Sequence, residues 1–200
     1  MLEKNSLKNR KISLHGIPNP WIAFFVTAIA LVVFFAVSDA APFGRNVFLL
    51  SDLRAQYAPK LVAYKDHFFA EGILSYSFQN GMGKNVMGVF GYYLSSPFNL
   101  VTFLFPSKWI AQAVVIMIVL KLSLAGAFMS LFLETRSGKK DKSSILFALL
   151  YVFSTYIVIY MMNIMWLDGF LLLPLLLVVT EKYMKDRSRW VYLVICLTIL

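Results

Sequence analysis

The residues best suited to chemistry in this chain are charged side chains at the edges of long apolar runs. Asp52 follows Ser51, and Gln56 comes four positions later, so Asp52 and Gln56 would share one face of a helix. A carboxylate placed there can accept a proton from a hydroxyl group, which makes Asp52 a candidate general base. Ser51 or Asp52 would also suit the start of a helix, where a side-chain oxygen caps free backbone N–H groups. The two interpretations are compatible.

Two further charged residues lie in or beside apolar runs. Lys121 lies well inside the run that begins at Trp109, where a charge costs about 2.5 to 3.5 kcal/mol on membrane-insertion scales. Both ends of that run are too far for snorkelling, so we expect an internal polar contact, a water-filled cavity or a lipid phosphate. Asp168 closely follows Trp166 at the end of another run. It suits an interfacial acid or a residue lining the same cavity as Asp52.

Other kinds of site are not indicated. A glycine-rich turn precedes Lys84 and Asn85, and it predicts a segment whose backbone approaches a ligand closely. It is not a nucleotide-binding loop, because Ser or Thr would have to follow Lys84. His15 and His67 lack metal-ligand spacing, and Cys196, the only cysteine, lies in an apolar run. We expect no metal site and no cofactor, and the sequence leaves a need for a free divalent cation open.

Composition places these residues in a membrane protein. Of the 200 residues, 60% are hydrophobic and only 14% are charged, which is more apolar surface than a globular domain can bury. Several runs are long enough to cross a hydrocarbon core of about 30 Å. The net charge of +9 is spread over short clusters between these runs, which argues against a nucleic-acid-binding face. The predicted fold class is all-α integral membrane, a multi-span helical bundle.

The apolar runs predict four complete spans and the start of a fifth. The predicted spans are 21–37, 109–133, 145–162, 166–180 and, cut off by the end of the chain, 190–200. They are joined or preceded by the segments 1–20, 38–108, 134–144, 163–165 and 181–189. Because the fifth run stops at Leu200 after covering about half a membrane, we expect this chain to be the N-terminal part of a longer protein or a truncated gene product.

Basic residues predict the orientation of the spans. Lysine and arginine cluster in 1–20, 134–144 and 181–189, and these three segments fall on one side if every span crosses once. That side is predicted to be the cytoplasm, with segment 38–108 outside. The first span lacks a small-residue cleavage site, so it is interpreted as a retained helix and not as a signal peptide.

The long outer segment is predicted to contain helices of its own. Apolar residues at helical spacing predict an amphipathic helix lying in the membrane interface, which Pro59 should kink or divide. Its apolar face would consist of Leu53, Tyr57, Leu61, Tyr64 and Phe68. Residues 86–105 are apolar but broken by glycines and by Ser95-Ser96-Pro97. They predict a re-entrant or interfacial helical pair.

Several motifs, taken in order and spacing, resemble the bacterial YfhO family of membrane proteins over most of the chain. They are Ser51-Asp52-Leu53-Arg54-Ala55-Gln56-Tyr57, Asn80-Gly81-Met82-Gly83-Lys84-Asn85, Tyr93-Leu94-Ser95-Ser96-Pro97-Phe98-Asn99-Leu100, Leu120-Lys121-Leu122-Ser123-Leu124-Ala125-Gly126, and Trp166-Leu167-Asp168-Gly169 followed by Leu173-Pro174-Leu175. No single motif decides the resemblance. Their combination does.

The resemblance implies a GT-C-like glycosyltransferase of the cytoplasmic membrane. Such enzymes take sugars from polyprenyl-phosphate carriers on the outer face and use an essential acid in the first outer loop, which Asp52 matches by position. The implied acceptor is a cell-envelope glycopolymer such as lipoteichoic acid, and the implied partners are the lipid bilayer and the carrier, with no nucleic acid. Family members are several times longer, so a complete donor site is expected to need further helices.

In that reaction Asp52 would take the acceptor's proton as the hydroxyl attacks the anomeric carbon with inversion. Other residues would orient the sugar or balance the charge of the departing phosphate, although the cations among them suit anionic lipid head groups equally well. The predicted substrate-binding residues are Gln56, Tyr57, Arg54, Lys60, Lys84, Asn85, Lys121 and Asp168. Two alternatives stay open: a lipid or polymer transporter with Lys121 and Asp168 along its pathway, and an inactive scaffold.

Overall fold

The computed structural model describes residues 17–71, 76–78 and 82–186, and this part of the chain is mostly helical. Its α-helices are α1 (Asn19–Val37), α2 (Ala58–Glu71), α3 (Val86–Val89), α4 (Ile110–Ser137), α5 (Ser143–Val152), α6 (Thr155–Tyr160) and α7 (Trp166–Asp186). Two short antiparallel strands, β1 (Tyr76–Ser77) and β2 (Lys84–Asn85), add a small hairpin to the predicted all-α fold. The predicted residues 1–16 of the N-terminal segment and the predicted fifth span lie outside the described residues.

Two helical segments of the described chain are long and apolar enough to cross a bilayer. They are Asn19–Val37 and Ser107–Ser137. The first buries only 22% of its most apolar window, because its contacts form one stripe at four-residue spacing: Ala23, Thr27, Leu31 and Phe35. The second is 61% buried. One helix therefore has mostly free apolar surface, while the other lies at the centre of the fold.

Helix α4 is that central element, and α1, α5 and α7 all pack against it. Small residues on α4 allow the close approach of α1. A Cβ atom placed on Gly126 would lie 2.9 Å from Thr27 Oγ1 and 3.4 Å from Val152 Cγ2, so any side chain here would have to displace Thr27. The helix ends at Gly138, whose φ of 68° forms a left-handed C-terminal cap.

The predicted third span at 145–162 is divided in the structure into α5 and α6. Phe153 leaves the helical conformation and Ser154 is extended, with a ψ of 147°. The prediction of one continuous helix was wrong because it followed hydropathy alone. Aromatic and β-branched residues flank this point and favour helix weakly, while serine favours the position before a new helix. The predicted fourth span at 166–180 lies within α7, which continues to Asp186.

The long loop, residues 38–109, carries the predicted amphipathic helix in two parts. A π-helical turn, Leu53–Tyr57, leads directly into α2. Pro59 explains the change of pitch, because it has no N–H to donate and its ring crowds the carbonyl four residues earlier. The predicted apolar face is confirmed for Leu53, Tyr57 and Leu61, which are all buried.

Residues 86–105 form short elements in place of two regular helices. After α3 come a π-helical turn, Phe90–Leu94, and a 3₁₀ segment, Pro97–Leu104. These elements pack against α2 and α4. The Lys65 ammonium donates to the Phe105 carbonyl, and the Ser107 hydroxyl donates to Asp66 at 2.7 Å. Hydrogen bonds made by α2 residues thus connect α2 to Phe105 and Ser107, just before α4 begins.

The crossing of α1 and α4 at Gly126 gives a direct test of this packing. We expect Gly126→Leu to force α1 away from α4 and to lower stability by about 1 to 3 kcal/mol, as overpacking usually does. The measurement is the thermal midpoint of the purified protein in detergent.

Gly169→Leu is the matched control, because a Cβ atom there meets nothing within 4 Å. It should change the midpoint little. Equal effects of the two substitutions would contradict the close helix crossing.

Candidate functional site

A chain of hydrogen bonds holds the Asp52 carboxylate at the surface of the long loop. Gln56 Nε2 donates to Asp52 Oδ1 at 2.9 Å, and the Tyr93 hydroxyl donates to Gln56 Oε1 at 2.6 Å. Asp52 is exposed. Its side chain makes no capping hydrogen bond to the helix that follows, so the capping role predicted for this carboxylate was wrong. The carboxylate is oriented from one side and open to solvent.

The backbone before Asp52 is strained. Ser51 has a φ of 46°, a left-handed conformation that costs a residue with a side chain roughly 1 to 2 kcal/mol. Strain of this kind persists only where surrounding structure determines it. Here the buried side chains of Leu53 and Tyr57 anchor the next turn. The kink at Ser51 therefore fixes the direction in which Asp52 leaves the loop.

Aromatic rings and a lysine surround Tyr93. The Tyr57 ring meets the Tyr93 ring edge-on at 5.5 Å, and the Lys60 ammonium lies 4.2 Å above the centre of the Tyr93 ring. Burial raises the pKa of Tyr57 to about 12, with smaller contributions from Tyr93, Tyr92 and Asp52. The Tyr57 hydroxyl thus stays protonated at neutral pH and can act as a hydrogen-bond donor, not as a base. Burial, and secondly the charge of Lys84, lowers the pKa of Lys60.

Tyr93 also lines an open groove of about 590 Å³. The lining residues are Tyr76, Gly83, Lys84, Asn85, Gly88, Val89, Tyr92 and Tyr93. Gly83 has a φ of 105°, and a Cβ atom there would lie 2.4 Å from the Tyr76 hydroxyl, so only glycine lets this tyrosine lie across the turn. The Asn85 side chain accepts from Met87 N at 2.8 Å and caps α3. The groove thus combines aromatic faces with one lysine.

A second polar cluster lies between α4, α7 and the long loop. The Lys121 ammonium, whose side chain is 1% exposed, is 2.9 Å from both carboxylate oxygens of Asp168. It also donates to the Ile164 carbonyl at 2.8 Å. The Ser96 hydroxyl donates to the same carboxylate at 3.0 Å, and the Phe98 ring lies 5.5 Å from the ammonium. The expected internal polar contact of Lys121 is therefore an ion pair with Asp168.

The structure divides the predicted site residues between these two clusters. Asp52, Gln56, Tyr57 and Lys60 all contact Tyr93 or one another, and Lys84 and Asn85 line the adjacent groove. Lys121 and Asp168 pair with each other instead. The Arg54 side chain is exposed and forms no hydrogen bond or ion pair with the rest of the described chain. Within residues 17–71, 76–78 and 82–186, no three His, Cys, Asp or Glu side chains converge as metal ligands would.

Sequence reasoning missed the residues that connect the clusters. Tyr93 joins the first cluster and Ser96 joins the second, and Asn99 Nδ2 donates to the Tyr93 carbonyl at 3.3 Å and stiffens the turn between them. The signal was present in the motif from Tyr93 to Leu100, where hydroxyl and amide side chains interrupt an apolar run. Polar groups in such a run need partners.

The Lys121–Asp168 ion pair can be tested by a double-mutant cycle of protein stability. Asp168→Asn should lower stability by about 3 to 5 kcal/mol, because it leaves the Lys121 ammonium buried without its counter-charge. Lys121→Met should cost less, since Asp168 keeps Ser96 and is 24% exposed. The double variant should lose less than the sum of the single losses. The readout is the thermal midpoint in detergent.

Lys140→Met is the control, because Lys140 is exposed and its loss should leave the midpoint almost unchanged. Strictly additive losses in the double variant would show that the two side chains do not stabilise one another.

Comparison with known proteins gives one match. The family model described as bacterial membrane protein YfhO matches residues 23–200. No curated protein and no solved structure matches the chain. The match covers most of the chain, including both polar clusters, all of Ser107–Ser137 and the first candidate span from residue 23 onward. The chain therefore belongs to the YfhO family of bacterial membrane proteins.

Proposed function

We propose that this protein takes part in transferring a sugar from a polyprenyl-phosphate carrier to a cell-envelope polymer, such as lipoteichoic acid, on the outer face of the cytoplasmic membrane. The observation that carries the proposal is the Asp52 carboxylate, exposed and oriented by Gln56 and Tyr93 beside a groove that contains Lys84. An exposed acid, linked through Gln56 and Tyr93 to a groove that contains a lysine, suits a reaction that removes a proton and releases a phosphate.

In the proposed reaction Asp52 accepts the proton of the acceptor hydroxyl. The hydroxyl oxygen forms a bond to the anomeric carbon, and the bond from that carbon to the carrier phosphate breaks. The phosphate leaves as an anion that keeps the electron pair, and attack from the opposite face inverts the carbon. Lys60 and Lys84 favour the departing phosphate electrostatically. The buried Tyr57 acts indirectly in this proposal, because its ring packs edge-on against Tyr93.

Asp52 suits the role of base better than Asp168 does. The Asp168 carboxylate already accepts hydrogen bonds from Lys121 and Ser96, so its oxygens are occupied. Among residues 17–71, 76–78 and 82–186, the Asp52 carboxylate accepts only from the uncharged Gln56 amide. The same closed pair argues against a transport pathway through Lys121, whose side chain is 1% exposed. The observations therefore favour chemistry at Asp52.

Asp52→Asn tests the proposed reaction directly. The substitution keeps the hydrogen bond from Gln56 but removes the proton acceptor, so sugar incorporation into the envelope polymer should fall by about a hundredfold or more. The variant is placed in the chromosomal gene of the source bacterium, the sugar content of the polymer is measured, and the amount of protein in the membrane is quantified alongside.

Asp66→Asn is the matched control. Asparagine can still accept from Ser107, so incorporation should be unchanged. Full activity of the Asp52→Asn variant at normal protein levels would rule out Asp52 as the base.

The proposal also requires the long loop to face outward and the N-terminus to face the cytoplasm, as the basic clusters predict. In a Cys196→Ser background, a membrane-impermeant maleimide should label Met82→Cys in intact cells, because Met82 is 99% exposed. Lys139→Cys, just beyond the C-terminal end of α4, should be labelled only after the cells are permeabilised. Reversed labelling would place the site on the wrong side for a carrier-bound sugar.

A further inference from the structure

Tyr93 lies where two different environments meet. Its hydroxyl faces the carboxylate: it donates to Gln56 Oε1 at 2.6 Å, and Gln56 in turn donates to Asp52. Its ring contacts a cation, because the Lys60 ammonium lies 4.2 Å from the ring centre. The ring also lines the groove that contains Lys84. One side chain therefore contacts a lysine directly and is linked to the Asp52 carboxylate through Gln56.

The two lysines on the ring side have no acidic partner among the described residues. Neither Lys60 nor Lys84 forms an ion pair within the part of the chain that the structure describes. They lie near enough for the charge of Lys84 to lower the pKa of Lys60, after the larger effect of burial. Lys60 lies over the Tyr93 ring and Lys84 lines the groove beside that ring, and an anion bound there would offset the repulsion between the two ammonium groups. The arrangement favours a ligand with concentrated negative charge.

We infer that the Tyr93 ring divides the site into an anion half, where Lys60 and Lys84 bind a phosphate group, and an acid half, where the Tyr93 hydroxyl orients Gln56 and Asp52. The inference rests on the proposed function and deepens it, because it names the side on which the carrier phosphate lies. Tyr93 becomes a positioning residue with two separable tasks. The hydroxyl positions the acid, and the ring holds Lys60 in place by a cation–π contact.

A phosphate fits the anion half better than a sugar ring alone or a carboxylate does. A phosphate oxygen can accept from each ammonium at once, and such charge-assisted bonds are the strong ones. Tyr76 and Tyr92 also line this groove, and a tyrosine side chain carries a hydroxyl that can donate a hydrogen bond. The apolar side chain of Val89 completes the lining, as suits a phosphate that is attached to a lipid chain.

Binding to the purified protein in detergent tests the anion half without any transfer. Farnesyl phosphate is the probe, farnesol is its uncharged counterpart, and inorganic phosphate lacks the lipid. Farnesyl phosphate should bind and farnesol should not. Lys60→Gln and Lys84→Gln should each weaken binding by about tenfold, the size expected for one charge-assisted hydrogen bond. Inorganic phosphate that binds as tightly, with the same lysine dependence, would support the anion half and identify a water-borne phosphate as the ligand.

Lys108→Gln is the matched control for the lysine variants. Lys108 also lies over an aromatic ring, with its ammonium 5.8 Å from the Trp109 ring centre, but it does not line the groove. Its replacement should leave farnesyl phosphate binding unchanged. A loss of binding equal to that of Lys84→Gln would show that farnesyl phosphate binding depends on the overall positive charge of the protein. That result would refute the anion half.

Two substitutions at Tyr93 separate its two tasks. Tyr93→Phe keeps the ring, so phosphate binding and the KM for the carrier should stay the same while kcat falls by about tenfold through poorer orientation of Asp52. Tyr93→Leu removes the ring as well, so binding should also weaken. Equal effects of both variants on binding, or a change in KM with unchanged kcat for Tyr93→Phe, would overturn the division.

The binding experiment distinguishes this inference from the proposed function. Lysine-dependent phosphate binding, together with full sugar incorporation by Asp52→Asn, would support the anion half and contradict the proposed reaction. Phosphate binding that does not depend on Lys60 or Lys84, together with lost incorporation by Asp52→Asn, would overturn the inference and leave the reaction in place.

Discussion

The structure depends on one buried ion pair. Lys121 lies on the more deeply buried of the two candidate membrane spans, and its charge is balanced by Asp168 from α7 and by the carbonyl of Ile164. An ammonium in this position would destabilise the fold without these partners. The pair therefore determines how α7 lies against α4. Because Ser96 donates to the same carboxylate, the pair also ties the long loop to the helices.

From that pair a short segment leads to the candidate site. Ser96 contacts Asp168 and Tyr93 contacts Gln56, so residues 93–96 connect the centre of the helical packing to the Asp52 carboxylate. Asn99 stiffens this segment by donating to the Tyr93 carbonyl. A surface acid is thus oriented by groups that are themselves fixed by a buried charge. Such support is what a reactive group needs if it must keep one geometry.

The positions of the main helices could be predicted from the sequence, because hydropathy and helical spacing depend on residues close together along the chain. Hydropathy located α1 and α4, and helical spacing located the buried face formed by Leu53, Tyr57 and Leu61. The need of Lys121 for a partner followed from the cost of a charge in an apolar run. The identity of that partner did not, because Asp168 is 47 residues away along the chain. The break between α5 and α6 and the role of Tyr93 were missed for a related reason. Hydropathy does not show where a helix bends, and a hydroxyl reveals its partner only in three dimensions.

The unequal lengths of the two apolar segments have a consequence for how the protein fits its bilayer. Asn19–Val37 has 19 residues and Ser107–Ser137 has 31, which correspond to about 28 Å and about 46 Å of helix. Packed side by side, they cannot both match one hydrocarbon thickness, so the longer segment tilts or extends into the head-group region. The long loop is fastened to the start of that segment through Ser107 and Asp66. Membrane thickness would therefore set the height at which the loop meets the head groups.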